Sequence, residues 1–503
     1  MVDLRRSYPS ILIAQMFLTL VIASAPAAGR NVLTYHNTAS RQGSYVDGGL
    51  TKSFASQVHL DKTFNGVVSG AVYAQPLFWT PPSGPAEVIV ATENDIVYAL
   101  DASTGQQIWA TTLGTPVPLA DLPCGNIDPR GITGTPVIDP ASATLYVEAM
   151  VESAAGPRHQ VFGLSLANGQ VQAGWPVDVS AGAAALQIPF NNGPQGQRSA
   201  LTLAEGNLFV PYAGLDGDCG VYSGMLVGVD TQSPGVFGVW STKIAGGGSW
   251  GASGAAFDGA ALYLTTGNSF SRYVAAGNGN VTPAQGWGGE EAVIRLRPTL
   301  ADPSSTNDYF APADWSYLDA TDLDLGGTSA IPLNVPVPLS APAPRVLALG
   351  KDGNAYLLNR QNLGGIGGQV AMAHVSSGQI VSAMAVFPTS DASMVAVRAK
   401  GAACSGNLMV LSVTPNAIST AWCASFSGDG SPIVTTSDGV NDPIVWVVGS
   451  GGSNALYGFD GLTGAAVVAA SGGPNPIAPR QTPILANGRI YVAANGAVYA
   501  FSF

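Results

Sequence analysis

Short apolar runs recur along the chain in one phrase: an apolar strand, a turn, a second strand ending near an acid or amide, a glycine turn, then a strand that often carries Trp. The phrase is clearest at Ile96-Val-Tyr-Ala-Leu-Asp101-Ala-Ser-Thr-Gly105-Gln-Gln-Ile-Trp109. Weaker copies are Val161–Gly169, Leu226–Asp230 leading to Trp240, Ala355–Asn359, Leu408–Ser412 leading to Trp422, and Leu456–Gly464, while Ala292–Leu296 and Ala497–Phe501 complete a set of eight. Each has an apolar partner upstream: Glu87–Thr92, Leu145–Val151, Leu208–Tyr212, Leu262–Thr266, Arg345–Leu349, Met394–Arg398, Ile444–Gly449 and Ile490–Ala493. The pattern predicts an all-β chain, an eight-bladed β-propeller of four-stranded antiparallel blades. The last blade runs out of chain after three strands, so its fourth is expected from the N-terminal side, around Val58–Phe64, closing the ring and removing its open edge.

Strand direction alternates within a blade, so blade-to-blade connections and second-to-third turns emerge on one face and all other turns on the opposite one. Position in the repeat therefore assigns a residue to a face. Cys124, Arg130, Trp250, Asp322 and Asp324 fall in connections between blades, and Cys219, Asn268 and Lys351 in second-to-third turns, all on the same face around the channel mouth. The long turns Ala213–Gly224 and Ser269–Gly289 overhang that face as a lid or a glycan-binding rim, whereas the Pro-rich run Ile331–Pro344 belongs to the opposite face as a spacer.

Composition adds the compartment. Arg5 and Arg6 precede the apolar run Ile11–Ala25 and a stretch of small residues, which reads as a secretory signal peptide over residues 1–28. Residues 29–503 then form one propeller domain, secreted to a periplasmic or extracellular space, with no membrane span after cleavage. With 63 Gly, 35 Pro and 10% charged residues the chain suits short strands and tight turns, and its net charge of −12 argues against nucleic-acid binding. The four histidines, His36, His59, His159 and His374, lack ligand spacing and read as surface or structural groups. The four cysteines fit two disulfides in an oxidising compartment, with three connectivities open; the blade topology pairs Cys404 with Cys423 and Cys124 with Cys219.

Over nearly the whole mature chain the sequence resembles the pyrroloquinoline-quinone (PQQ) alcohol and methanol dehydrogenases, and more nearly a group of secreted bacterial PQQ-like propellers. Those open with a segment like Thr34-Tyr-His-Asn37 and share Gly131-Ile-Thr-Gly-Thr-Pro136. Gly246-Gly-Gly-Ser-Trp250 followed by Thr266-Gly-Asn268 resembles the segments that supply the ring under PQQ and an amide ligand of the metal. Thr321-Asp-Leu-Asp-Leu-Gly326 resembles the catalytic segment, Lys351-Asp-Gly353 the basic turn at the quinone, and Arg130-Gly131 a PQQ-carboxylate site. The resemblance thus implies Asp322 as base, Trp250, Arg130 and Lys351 as cofactor contacts, and Asn268, Asp322 and Asp324 as ligands of Ca²⁺ or a lanthanide. Such a site would oxidise an alcohol or sugar hydroxyl and pass electrons to an external acceptor.

The departures are specific. There is no adjacent cysteine pair to cover the quinone, no glutamate near Asp218-Cys219 for the metal, no Trp around Ser382-Ala383, and no Cys-x-x-Cys-His haem site. Each candidate also has a plainer role: Trp250 as channel packing, Asn268 as a turn residue, Asp322 and Asp324 as turn composition, Lys351-Asp-Gly as a hairpin. Two function classes follow, a quinoprotein dehydrogenase and a non-catalytic propeller binding a polymer or protein, with a polysaccharide lyase or hydrolase as a third.

Overall fold

The structure is a computed structural model that describes residues 31–269 and 286–503. The expected signal peptide and most of the Ser269–Gly289 turn lie outside the described residues. The apolar runs form eight antiparallel sheets arranged as a propeller. In blade one the order from the axis outward is Leu77–Trp79, Glu87–Ala91, Ile96–Asp101 and Gln107–Thr112. The innermost strands of the next seven are Val137–Asp139, Thr202–Ala204, Ala256–Phe257, Ile331–Val337, Met384–Pro388, Ile433–Thr436 and Ile484–Ala486. Blade eight is completed from the N-terminal side: His59–Leu60 and Gly66–Val67 both pair antiparallel with Ala497–Ser502.

The repeated phrase has a packing reason. Trp109, on the outer strand of blade one, donates its indole N–H to the Leu166 carbonyl in blade two, at 3.0 Å, and Trp422 of blade six does the same to Gly461 of blade seven, at 2.8 Å. In each case the receiving turn carries a glycine at positive φ, Gly169 or Gly464, whose missing Cβ leaves the space that the indole fills. The acid of the phrase closes its own turn: Asp101 Oδ1 accepts the N–H groups of Ser103 and Thr104, and Asp460 Oδ1, in the turn that receives Trp422, those of Leu462 and Thr463. The indole therefore locks blade one to blade two and blade six to blade seven, and the apolar core at these junctions lies between blades rather than within them.

The Pro-rich run Ile331–Pro344 departs from its expected spacer role. It is the innermost strand of blade five and the start of the second, Ser340–Leu349, joined at the exposed Leu339. An innermost strand has a free edge on the channel side, so a residue without an N–H is tolerated there. Pro342 and Pro344 sit where the second strand extends beyond the third, whose pairing begins only at Arg345↔Asn359.

The Thr34-Tyr-His-Asn37 segment plugs the channel. Residues 32–46 touch the innermost strand, or the residue leading into it, in every blade. Val32 bridges Phe78, the Leu33 and Ala39 carbonyls accept the N–H groups of Ile138 and Phe257, and Gln42 meets Pro332 and Val386. Ser44–Val46 runs parallel to Val434–Thr436, and Tyr35 Oη lies 2.8 Å from Thr482 Oγ1. Arg41, fully buried, donates to the Leu201 carbonyl at 2.8 Å, to Thr202 Oγ1 at 2.7 Å and to the Tyr35 carbonyl at 3.2 Å. Burial holds its guanidinium below its usual range.

Glu93, Asp95 and Glu148 of blades one and two form a buried acid cluster. Asp95 is fully buried and neither carboxyl oxygen has a hydrogen-bond partner among the described residues. Burial, reinforced by the charges of Glu93 and Glu148, pushes it up to about 9. The folded chain thus holds a proton that the unfolded chain releases near pH 4, and stability falls as pH rises from about 4 to about 9. Asp95→Asn, which also suits the positive φ here, is expected to match wild type near pH 4 and to exceed it by about 1–3 kcal/mol at pH 9 in urea unfolding. Equal stability of the two proteins at every pH would show that Asp95 does not carry this proton.

Candidate functional site

One face of the ring opens into a cavity of about 600 Å³, within the range of roughly 300–1,000 Å³ that encloses small molecules. Its wall comes from connections between blades and from second-to-third turns with their flanking strand ends, the positions that strand alternation directs to one face. Trp250, Asn268, Asp322, Asp324 and Lys351 all line it. The Ala213–Gly224 turn supplies another side, with Asp216, Asp218 and Tyr222 facing the space. That turn is pinned by the disulfide Cys124–Cys219, which ties it to the connection between blades one and two. The second disulfide, Cys404–Cys423, closes a turn against the outer strand of blade six.

Local structure places the acids. The short helix Trp315–Thr321 ends at Asp322, whose left-handed conformation turns the chain back toward the mouth. Two residues later Asp324 is buried, and its carboxylate is fully engaged. Oδ1 accepts the Asn268 backbone N–H at 2.9 Å, and Oδ2 accepts the Trp250 indole N–H at 3.0 Å. Lys351 Nζ reaches Asp324 Oδ2 at 2.8 Å and Asp322 Oδ1 at 2.7 Å. Burial disfavours this ammonium, but Asp324 and Asp322 outweigh it and hold Lys351 above its usual range. Trp250 is thereby fixed from two directions, with Lys351 Nζ 5.1 Å and the Arg198 guanidinium 5.8 Å from its ring centroid.

Arg130 does not line the cavity. It is buried below it, its Nη2 donating to the Gln197 carbonyl at 2.9 Å, in the field of Glu93 and Glu148. Arg198, the residue that follows Gln197, is the guanidinium that reaches the cavity, and Arg480 is a second. Both lie in connections between blades, as does Gln379, so the strand-direction rule could have found them; nothing in their flanking sequence singled them out. Glu291 was also missed. It is buried beside Asp324, accepts the Leu325 N–H at 2.7 Å, and is pushed well above its usual value by burial and by the Asp324 charge.

The donor set does not fit a bound metal. Of the three expected ligands, Asp324 already accepts from Trp250 and Asn268, and the space between Asp322 and Asp324 holds the Lys351 ammonium. Among the described residues no group of three or more His, Cys, Asp and Glu is placed to hold a metal ion. A divalent or trivalent cation would have to displace Lys351 and would then sit beside it, an arrangement that like-charge repulsion opposes.

The fold is that of the quinoprotein alcohol dehydrogenases. The quinohemoprotein alcohol dehydrogenase from Comamonas testosteroni superposes with a TM-score of 0.65 at 14% identity, over 94% of this chain and 80% of that one. The quinohemoprotein alcohol dehydrogenase ADHIIG from Pseudomonas putida HK5 gives 0.66 at 12%, over 93% and 76%. A europium-containing methanol dehydrogenase gives 0.61 at 13%, over 92% and 89%. No protein-family model and no curated protein matches the sequence. Among the described residues no helix is long and apolar enough to cross a membrane.

Proposed function

We propose that this is a secreted propeller that uses the quinoprotein scaffold to bind a small hydroxyl-rich molecule at the channel mouth, without metal-dependent quinone chemistry. The observation that carries the reading is Lys351, whose ammonium bridges Asp322 and Asp324 in the position that the resemblance assigns to a cation. What remains around the cavity is a carbohydrate-type inventory: an indole, a carboxylate pair at Asp216 and Asp218, the amides of Asn268 and Gln379, and two guanidinium groups. Two disulfides and the signal-like N-terminal sequence support an extracytoplasmic setting.

The second reading, a PQQ-dependent dehydrogenase of an alcohol or sugar hydroxyl, is favoured by Trp250 bordering a cavity of sufficient size. In that reading Arg198 and Lys351 would hold the quinone carboxylates, the quinone would supply the oxidising power and pass electrons to a separate acceptor, and Asp322, with its side chain 60% exposed, would stand as the base for the substrate hydroxyl. Calorimetry on the purified protein separates the two. Sugars and sugar acids are expected to give binding heats in the micromolar to millimolar range, and PQQ with Ca²⁺ or La³⁺ none. Cation-dependent PQQ binding would install the second reading instead.

A further inference from the structure

We infer that the ligand carries a carboxylate and that Arg198 is its anchor, so that the class recognised is the sugar acids rather than neutral sugars. The inference rests on the binding reading above and adds the charge of the ligand to it. Three cations enter the cavity wall, Arg198, Arg480 and Lys351. Lys351 is spoken for by two aspartates. Arg198 is not: among the described residues its guanidinium makes no hydrogen bond or ion pair, and its guanidinium carbon lies 5.8 Å from the centroid of the Trp250 ring.

The surroundings sharpen this. Burial weakens the Arg198 charge most, the nearby cations Arg130 and Arg480 weaken it further, and Asp216 and Asp218 offset only part of that; it is nonetheless held at about 10 and stays charged at neutral pH. A guanidinium drawn out of bulk water, repelled by its cationic neighbours and lacking a carboxylate within bonding distance, presents five N–H donors in a fork that matches a carboxylate. The rest of the wall asks for the opposite chemistry. Asp216, Asp218 and Asp322 are acceptors and call for hydroxyl donors. Asp218 already receives the Tyr222 hydroxyl at 2.7 Å, and burial with the charges of Asp324 and Asp322 raises it, so a second negative group is refused on that side. One ligand answers both demands, with a single carboxylate at the arginine end and several hydroxyls toward the aspartates: an aldonic or uronic acid.

The test uses the whole chain, D-galacturonate, D-galactose and PQQ, titrated by calorimetry into wild type and Arg198→Gln. A charge-assisted fork is expected to make galacturonate bind roughly tenfold to a hundredfold more tightly than galactose. Arg198→Gln should erase that preference, read as the ratio of galacturonate to galactose affinity within the variant itself. The comparison of two sugars on wild type needs no variant, so a folding defect in Arg198→Gln cannot mask the answer. Equal binding of the two sugars to wild type overturns the sugar-acid inference and leaves the binding reading standing. No heat from either sugar up to about 10 mM overturns both, and PQQ binding that needs a cation replaces both with the dehydrogenase reading.

Discussion

Lys351→Ala is expected to create a lanthanide site where wild type has none. Removing the ammonium leaves Asp322 and Asp324 facing a vacated position beside Asn268, and Asp324 is buried with an uncompensated charge. Breaking a buried pair by deleting one partner costs about 3–5 kcal/mol, and here the Trp250 and Asn268 N–H groups still hold the carboxylate, so a smaller loss, about 2–3 kcal/mol, is expected in chelator. A trivalent cation then replaces the lost charge and returns most of the stability by mass action. Terbium luminescence sensitised by Trp250 should appear in the variant at least roughly tenfold below the concentration that wild type requires. Equal terbium binding by both proteins would mean that Lys351 does not exclude the metal, and the binding reading would lose its main support.

Arg41→Leu is expected to weaken the ring by about 2–4 kcal/mol in urea unfolding without altering ligand binding at the mouth. The substitution strips donors from the Leu201 and Tyr35 carbonyls and from Thr202, all buried. Each lost partner costs about 1–3 kcal/mol, and relief from burying a guanidinium with no acid in bonding range offsets part of the sum. The plug touches all eight blades, so the loss should appear as one cooperative transition shifted to lower urea rather than as an early phase of its own. A variant as stable as wild type would show that residues 32–46 fill the channel without bracing it.

The blade count was legible because the unit that repeats is itself a packing device. Asp460 closes the turn, Gly464 leaves room and Trp422 fills it where blade six meets blade seven, and Gly169 and Trp109 make the same fit where blade one meets blade two, so this part of the ring is written in local sequence. Strand alternation, a property of any antiparallel sheet, then sorted Trp250, Asn268, Asp322, Asp324 and Lys351 onto one face, and it also paired the cysteines. The Pro-rich strand of blade five was not legible, because a proline argues against a strand unless one knows that the strand's edge is free.

What sequence alone determined is thus the fold, the disulfides and the face on which the site lies, each set by short-range patterns or by topology. What only the tertiary structure decided is the state of the site. Whether Arg130 or Arg198 enters the cavity depends on which guanidinium the Gln197 carbonyl and the Glu93 charge capture below it. Whether Asp322 and Asp324 await a cation depends on the reach of Lys351, from the neighbouring blade, into the space between them. These are questions of distances of a few ångströms between residues far apart in the chain, and electrostatic energy at such range changes steeply with distance and burial, which no local pattern encodes.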